Sequence, residues 1–361
     1  MNMITSVKPY LPKIQDFYKI IDAIWSRNYL TNNGPVLIQY EKELGQFLGT
    51  NRPSVVTNGT TALQFAIRAL KIENEVITTP FSYVASTSSL FWEKCSPIFV
   101  DIDERTLNIN PEKIIDKITS KTSAILVTHT FGNPCEIEKI QKIAAQHNLK
   151  VIFDASHCFG TTYKGKSIFE YGDVSTLSLH ATKLVHMVEG GAVFSNTPEL
   201  LKRINFMRNF GHDGPTKFNG VGINGKNSEI HAAMGLAVLK EANKILEKRK
   251  SDYKYYVDQL AGLNLNLQTI NPDGVSNFSY FPIIFHQEED LIKALEFFET
   301  KNIYPRRYFY PSLNKLQYLR QQTLPISEDI SKRTLCLPLY FQITKNEQDL
   351  ICETLKKSFD N

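Results

Sequence analysis

Residues 54–70, SVVTNGTTALQFAIRAL, pass from a short β-branched run into an apolar pattern of helical period through one Asn-Gly-Thr-Thr turn. Leu63, Ala66, Ile67 and Leu70 recur at the three- and four-residue spacing that lines one helix face. A strand feeding directly into a helix is the unit of an α/β protein, and the first two thirds of the chain repeat it. EVITT (75–79) precedes YVASTSSLFWEKC, PIFVDI (97–102) precedes PEKIIDKI, and SAILVTH (123–129) precedes CEIEKIQKIAAQHN. KVIFDAS (150–156), STLSLH (175–180) and GAVFSN (191–196) follow. The expectation is an α/β fold with a mostly parallel sheet covered on both faces.

From residue 228 the pattern changes to one long helical stretch, SEIHAAMGLAVLKEANKILEKRKSDYKYYVDQLAGL, which bridges to a second unit. We expect a large domain over residues 1–240 and a smaller C-terminal α+β domain over 241–361, built from YFPIIF, EEDLIKALEFFETKN, IYPRRYFYPSL, TLCLPLY and NEQDLICETLKKSF. A length of 361 residues fits two domains at roughly 150 residues each. The 41 basic against 37 acidic residues leave +4, too slight an excess to imply a nucleic acid partner. No run approaches the ~18 apolar residues of a membrane span, and the first twenty residues hold no uninterrupted apolar export signal. Cys95, Cys135, Cys158, Cys336 and Cys352 are far apart without a CxxC pair, which argues against disulfides or structural zinc and for a reducing cytoplasm.

The turn Asn58-Gly59-Thr60-Thr61 reads either as an ordinary helix cap or as an anion cradle, since Gly59 allows close backbone approach and the first helical N–H groups lack partners. Neither GxxxxGK[ST] nor a GxGxxG after a strand is present, so a P-loop NTPase and a Rossmann dehydrogenase lose their main support. In FDASHCFG (153–160), Asp154 stands where an apolar strand ends; it either caps the next turn or holds a cationic ring nitrogen. His129, His157 and His180 lack ligand spacing, so no metal is expected. Lys183, in SLHATKLVHMVEGG (178–191), is by itself more readily a surface residue. A phosphate cradle, a carboxylate, a lysine and the aromatic Tyr83 on one sheet are together the parts of a pyridoxal phosphate site.

Ser178, His180, Lys183 and Glu189-Gly190-Gly191 resemble the S-[FL]-H-x-x-K-x-x-x-x-x-E-G-G signature of the DegT/DnrJ/EryC1/StrS sugar aminotransferases, a fold-type I pyridoxal phosphate family. The resemblance extends over RNYLTNNGP (27–35), NGTTAL, TTPFSYVAS (78–86), VDID (100–103), FDASHCFG, GINGKNSEIHAAMG (222–235), YPRRYFYP (304–311) and LCLPLY (335–340). It implies that Lys183 forms the Schiff base and moves protons, Asp154 pairs with the pyridine nitrogen, His157 lies near the ring hydroxyl and Tyr83 stacks on the ring. Phosphate would be held by Gly59, Thr60 and Ser178, with Asn224 reaching over from the second subunit of a homodimer. His180, Lys226 and Tyr308 are the implied substrate contacts. Three places depart from the common pattern: Leu179 for Phe, Val188 for Gly, and the pair Lys226-Asn227 for Arg-Met, the last bearing on substrate rather than cofactor.

The implied reaction moves an amino group from L-glutamate, giving 2-oxoglutarate, to C4 of dTDP-4-dehydro-6-deoxyglucose, for O-antigen or other surface polysaccharide. Amination at C3 of a related dTDP-sugar is the alternative within the family, and a cofactor-binding regulatory protein without turnover the alternative outside enzymes. Arg208, Arg306 and Arg307 are read as solvated or interface ion pairs, and His186 and His212 are given no role.

Overall fold

A computed structural model describes residues 3–360. Seven strands form the large sheet, in the order Ser54–Val56, Gly191–Phe194, Val174–Ser178, Lys150–Asp154, Thr122–Thr128, Glu75–Thr78 and Ser96–Phe99. Gly191–Phe194 alone runs against its neighbours; the other six share one direction. The near-continuous apolar runs have the reason expected of a parallel sheet, because both faces are buried. Ile125, Val127, Val151 and Phe153 pack to one side with the helices Pro35–Leu48, Ile137–Gln146 and Glu229–Leu239. Ala124, Leu126 and Ile152 pack to the other with Gly59–Ala69 and Ile204 of Pro198–Met207. Each large aliphatic side chain so buried contributes about 1.5–3 kcal/mol.

The C-terminal unit is a three-stranded antiparallel sheet, Asn266–Leu267, Phe281–Ile284 and Thr334–Leu337, packed on the helices Glu288–Glu299 and Lys345–Asp360. Ile4 joins this core, because Ile4–Thr5 pairs in parallel with Ile303–Tyr304.

The single bridging helix is corrected to two, Glu229–Leu239 and Ala242–Gln259, separated at Lys240 and Glu241. The first half is buried among large-unit side chains, whereas the second carries Ile245 into that core and Tyr256 into the other. Two packing surfaces thus divide a stretch whose helical period is unbroken. PEKIIDKI winds as two short 3₁₀ turns, Pro111–Lys113 and Ile115–Lys117, the first capped by Asn110, whose side chain accepts from the Glu112 N–H at 3.0 Å. Among the described residues no helix is long and apolar enough to cross a membrane, and no cluster of His, Cys, Asp or Glu is arranged to hold a metal.

Candidate active site

The parallel strands end on one edge of the sheet, and this edge faces the C-terminal unit across a cavity of about 360 Å³. Asp154, the last residue of its strand, is 4% exposed and forms part of the cavity wall. Its Oδ2 accepts from Ser86 Oγ at 2.7 Å and its Oδ1 from the Ser156 N–H at 3.1 Å. Ser82 links Ser86 (2.9 Å) and Thr128 (2.7 Å), so a buried hydroxyl network fixes the carboxylate.

At the opposite end the helix Gly59–Ala69 points its N-terminus into the cavity. Asn58 Oδ1 accepts from the Thr61 N–H at 2.9 Å, which leaves the N–H groups of Gly59 and Thr60 without an intrahelical acceptor. Ser178, ending the next parallel strand, lies so near that a Cβ on Gly59 would sit 3.1 Å from its Cβ. Gly191 is required by backbone approach: a Cβ there would meet the Asn58 carbonyl oxygen at 2.3 Å. Asn227 secures this corner by donating to the carbonyls of Val56 (3.1 Å) and Glu189 (3.0 Å). That accounts for one of the departures at 226–227 as a structural tie.

Lys183 lies in the loop after Val174–Ser178, its Nζ donating to Tyr280 Oη at 3.3 Å. Burial pushes its amine down to about 8; Asp154 and Tyr83 oppose the shift, and Arg306 adds to it. His157 is buried beside two parallel rings, Phe309 of the C-terminal unit and Phe131 of the sheet edge, its centroid 5.9 and 6.3 Å from theirs, while the two stack on each other at 5.3 Å. Burial, and after it the charge of Lys183, holds the imidazole well below its ordinary pKa, so it is neutral at pH 7. Its Nδ1 is buried with no hydrogen-bond partner. Tyr83 and Tyr308 line the cavity, and His180 lines it with Nδ1 2.9 Å from Thr182 Oγ1 and Nε2 3.5 Å from Glu189.

Of the expected site residues, Gly59, Thr60, Tyr83, Asp154, His157, Ser178, His180, Lys183 and Tyr308 border this one cavity. Asn224 and Lys226 do not; Lys226 Nζ donates to Asn224 Oδ1 at 2.6 Å on a separate, partly exposed loop. Tyr280 and Arg306 border the cavity without having been expected there. Both come from the C-terminal unit and approach by tertiary packing; Arg306 stands two residues before the expected Tyr308, in YPRRYFYP, and Tyr280 stands in no stretch quoted for the resemblance. Arg208 is corrected from a solvated pair to a fully buried one, donating to Glu41 and to the Val55 carbonyl. Arg307 pairs with Glu288 at 2.7 Å, and His186 Nε2 meets the Tyr10 carbonyl at 2.7 Å, tying down the N-terminal segment.

Pyridoxal 5'-phosphate fits these residues on three separate observations. Free helix N–H groups beside Ser178 suit its phosphate, the fixed Asp154 carboxylate suits a protonated ring nitrogen, and the orphaned His157 Nδ1 offers a polar partner to the ring's edge. With a half-buried amine between them, the fold and site define a pyridoxal phosphate-dependent aminotransferase.

The chain belongs to the DegT/DnrJ/EryC1/StrS aminotransferase family, whose model matches residues 13–356. It is 38% identical over 358 residues to a dTDP-4-amino-4,6-dideoxy-D-glucose transaminase of Shigella dysenteriae, covering 97% of each chain. An Escherichia coli protein of the same name is 38% identical over 353 residues, 94% of each chain. Among solved structures, DesI in the presence of its TDP-sugar product superimposes with a TM-score of 0.94 at 27% identity, over 99% of this chain and 93% of that one.

Proposed function

We propose that this enzyme transfers the amino group of L-glutamate to C4 of dTDP-4-dehydro-6-deoxy-D-glucose, releasing 2-oxoglutarate and dTDP-4-amino-4,6-dideoxy-D-glucose. The observation that carries the substrate is the likeness over nearly the full length of both chains to a transaminase named for that product. The chemistry rests on the cavity that Lys183 and Asp154 share.

Bound through the Lys183 amine, pyridoxal phosphate supplies an electron sink for the carbon that loses its proton. Gly59, Thr60 and Ser178 would hold its phosphate end, and Asp154, held by Ser86 and the Ser156 N–H, would keep a proton on the ring nitrogen. With the cofactor bound, Lys183 Nζ would be the base that takes the proton from the donor's α-carbon and holds that proton for return within the same cavity. An amine near pKa 8 suits both directions of that transfer close to neutral pH. Tyr280 Oη would keep Nζ within reach, and neutral His157, packed beside the rings of Phe131 and Phe309, closes that side to water.

Asn224 and Lys226 complete the site of a second copy in a homodimer, which accounts for their position outside this chain's own cavity. The enzyme works in the cytoplasm, where its five free, buried cysteines persist reduced, and its product feeds surface polysaccharide. Purified enzyme given L-glutamate and the 4-keto sugar nucleotide, with the product's carbon assigned by NMR, tests this reading; a 3-amino product would move the substrate to the C3 class.

A further inference from the structure

His186 does not border the cavity, yet it stands three residues beyond Lys183 in the same loop and is only 2% exposed. Its Nδ1 accepts from the Val188 N–H at 3.3 Å, which places the ring hydrogen on Nε2, the donor to the Tyr10 carbonyl at 2.7 Å. Burial, joined by the charge of His180 and opposed by the Tyr10 bond, lowers its pKa, so the ring is neutral at pH 7. The segment it holds is fastened to the C-terminal unit as well. Ile4–Thr5 pairs with Ile303–Tyr304, the Ser6 carbonyl accepts from the Leu339 N–H at 3.2 Å, and the Pro9 carbonyl accepts from Gln342 Nε2 at 3.3 Å. Among these ties lies Val7, which does not reach the main cavity but borders a second, much smaller chamber of about 10 Å³. Lys183, Ser178, Tyr280 and Arg249 border that chamber too, and Val7 is partly exposed, so it stands between the chamber and solvent.

We propose that residues 4–10 form a strap, latched by His186, whose Val7 closes the rear of the Lys183 site to water, which makes His186 and Val7 positioning residues for the reactive amine. This rests on Lys183 being the cofactor-bearing lysine, as read above, and not on the identity of the sugar. A charged amine needs water around it far more than a neutral one does, so every water kept from Nζ favours the neutral form. Burial is the largest cause of the lowered pKa of Lys183, about 8. The main cavity has to admit substrates, so a fixed apolar wall belongs on the other side of the lysine, where Val7 stands. The chamber left there is at the lower limit for one water, ~10–15 Å³. The latch suits the task, because one neutral imidazole spans a carbonyl of the strap and an N–H of the Lys183 loop, joining the two without burying a charge.

The test reads Lys183 in the full-length apoenzyme, before any turnover. Competitive labelling with acetic anhydride over a series of pH values, followed by mass spectrometry of the peptide that carries Lys183, gives the midpoint at which its amine becomes reactive. The expected midpoint is near 8 in the parent. In Val7→Ala and in His186→Phe it should rise by about one pH unit, toward the ~10.4 of a solvated lysine. His186→Gln, whose amide nitrogen replaces Nε2 as the donor to Tyr10, should fall between His186→Phe and the parent. A parent midpoint near 10, or the same midpoint in the parent and in Val7→Ala, overturns the proposal. Val7→Ala leaves every hydrogen bond of the strap in place, so it decides even where His186→Phe does not fold. Uptake of pyridoxal phosphate by the parent is recorded alongside: a lysine labelled with a midpoint near 8 in a protein that takes up none sinks the transaminase reading and leaves the strap standing.

Discussion

In the proposed reaction Lys183 acts through the proton it lacks. With an amine near pKa 8, about a tenth of it is neutral at pH 7, against fewer than one in a thousand for a lysine at about 10.4. The neutral amine is the form that reacts, so apoenzyme should capture pyridoxal phosphate faster as pH rises, with a midpoint near 8; a stopped-flow midpoint near 10 would remove burial as the cause. Lys183→Ala should lower turnover by at least the ~10²–10⁴-fold that a general acid–base group supplies, with the fold unchanged by circular dichroism. Asp154→Asn should retain cofactor yet slow the proton shift, read as a primary isotope effect with α-deuterated glutamate; normal rates would assign the ring nitrogen another partner. Lys183 and Asp154 were legible in sequence because each sits beside a strand end with a distinctive neighbourhood. Tyr280 and Arg306 were not, because their distance from the cavity is set by how two units pack.

At the scale of elements, the anion cradle is made by backbones brought into contact, and its glycines are the sensitive points. Gly191→Ala would drive a methyl against the Asn58 carbonyl, and overpacking of this kind costs about 1–3 kcal/mol. We expect a lowered thermal midpoint together with weaker cofactor retention, measured by dialysis; a loss of stability with unaltered retention would separate the strand contact from the cradle. Behind the cradle, Glu41 accepts from Arg208 and from the Val55 N–H at 3.0 Å, joining the Pro35–Leu48 helix to the edge strand. Arg208→Ala leaves Glu41 with the half-exposed Arg52 as its remaining cation, and removing one partner of a buried pair costs about 3–5 kcal/mol, less whatever Arg52 restores. Chemical denaturation of the apoenzyme measures this loss. All seven strands of the large sheet were readable because β-branched, apolar runs have few other places to go. The break at Lys240 and Glu241 was not, since the helical pattern continues through it and only the two cores divide it.

On the scale of the whole molecule, the large sheet supplies Gly59, Thr60, Asp154 and Ser178, the residues proposed to hold the cofactor, and the smaller unit supplies the wall that carries Tyr280, Arg306, Tyr308 and Phe309. Asn224 and Lys226 lie elsewhere, so the dimer proposal makes a distinct prediction: mixing an Asn224→Ala chain with a Lys183→Ala chain should recover part of the activity that neither homodimer has, while no recovery would confine each site to its own chain. The central claim is that this cavity binds pyridoxal phosphate on Lys183 and passes an amino group to a dTDP-linked 4-keto sugar. It is tested most directly by one absorbance record of the holoenzyme, before and after L-glutamate and then after dTDP-4-dehydro-6-deoxyglucose. The account predicts a visible band that glutamate bleaches and the sugar restores, with a 4-amino sugar formed in equal amount. A band that never forms, or that the sugar leaves bleached, contradicts it.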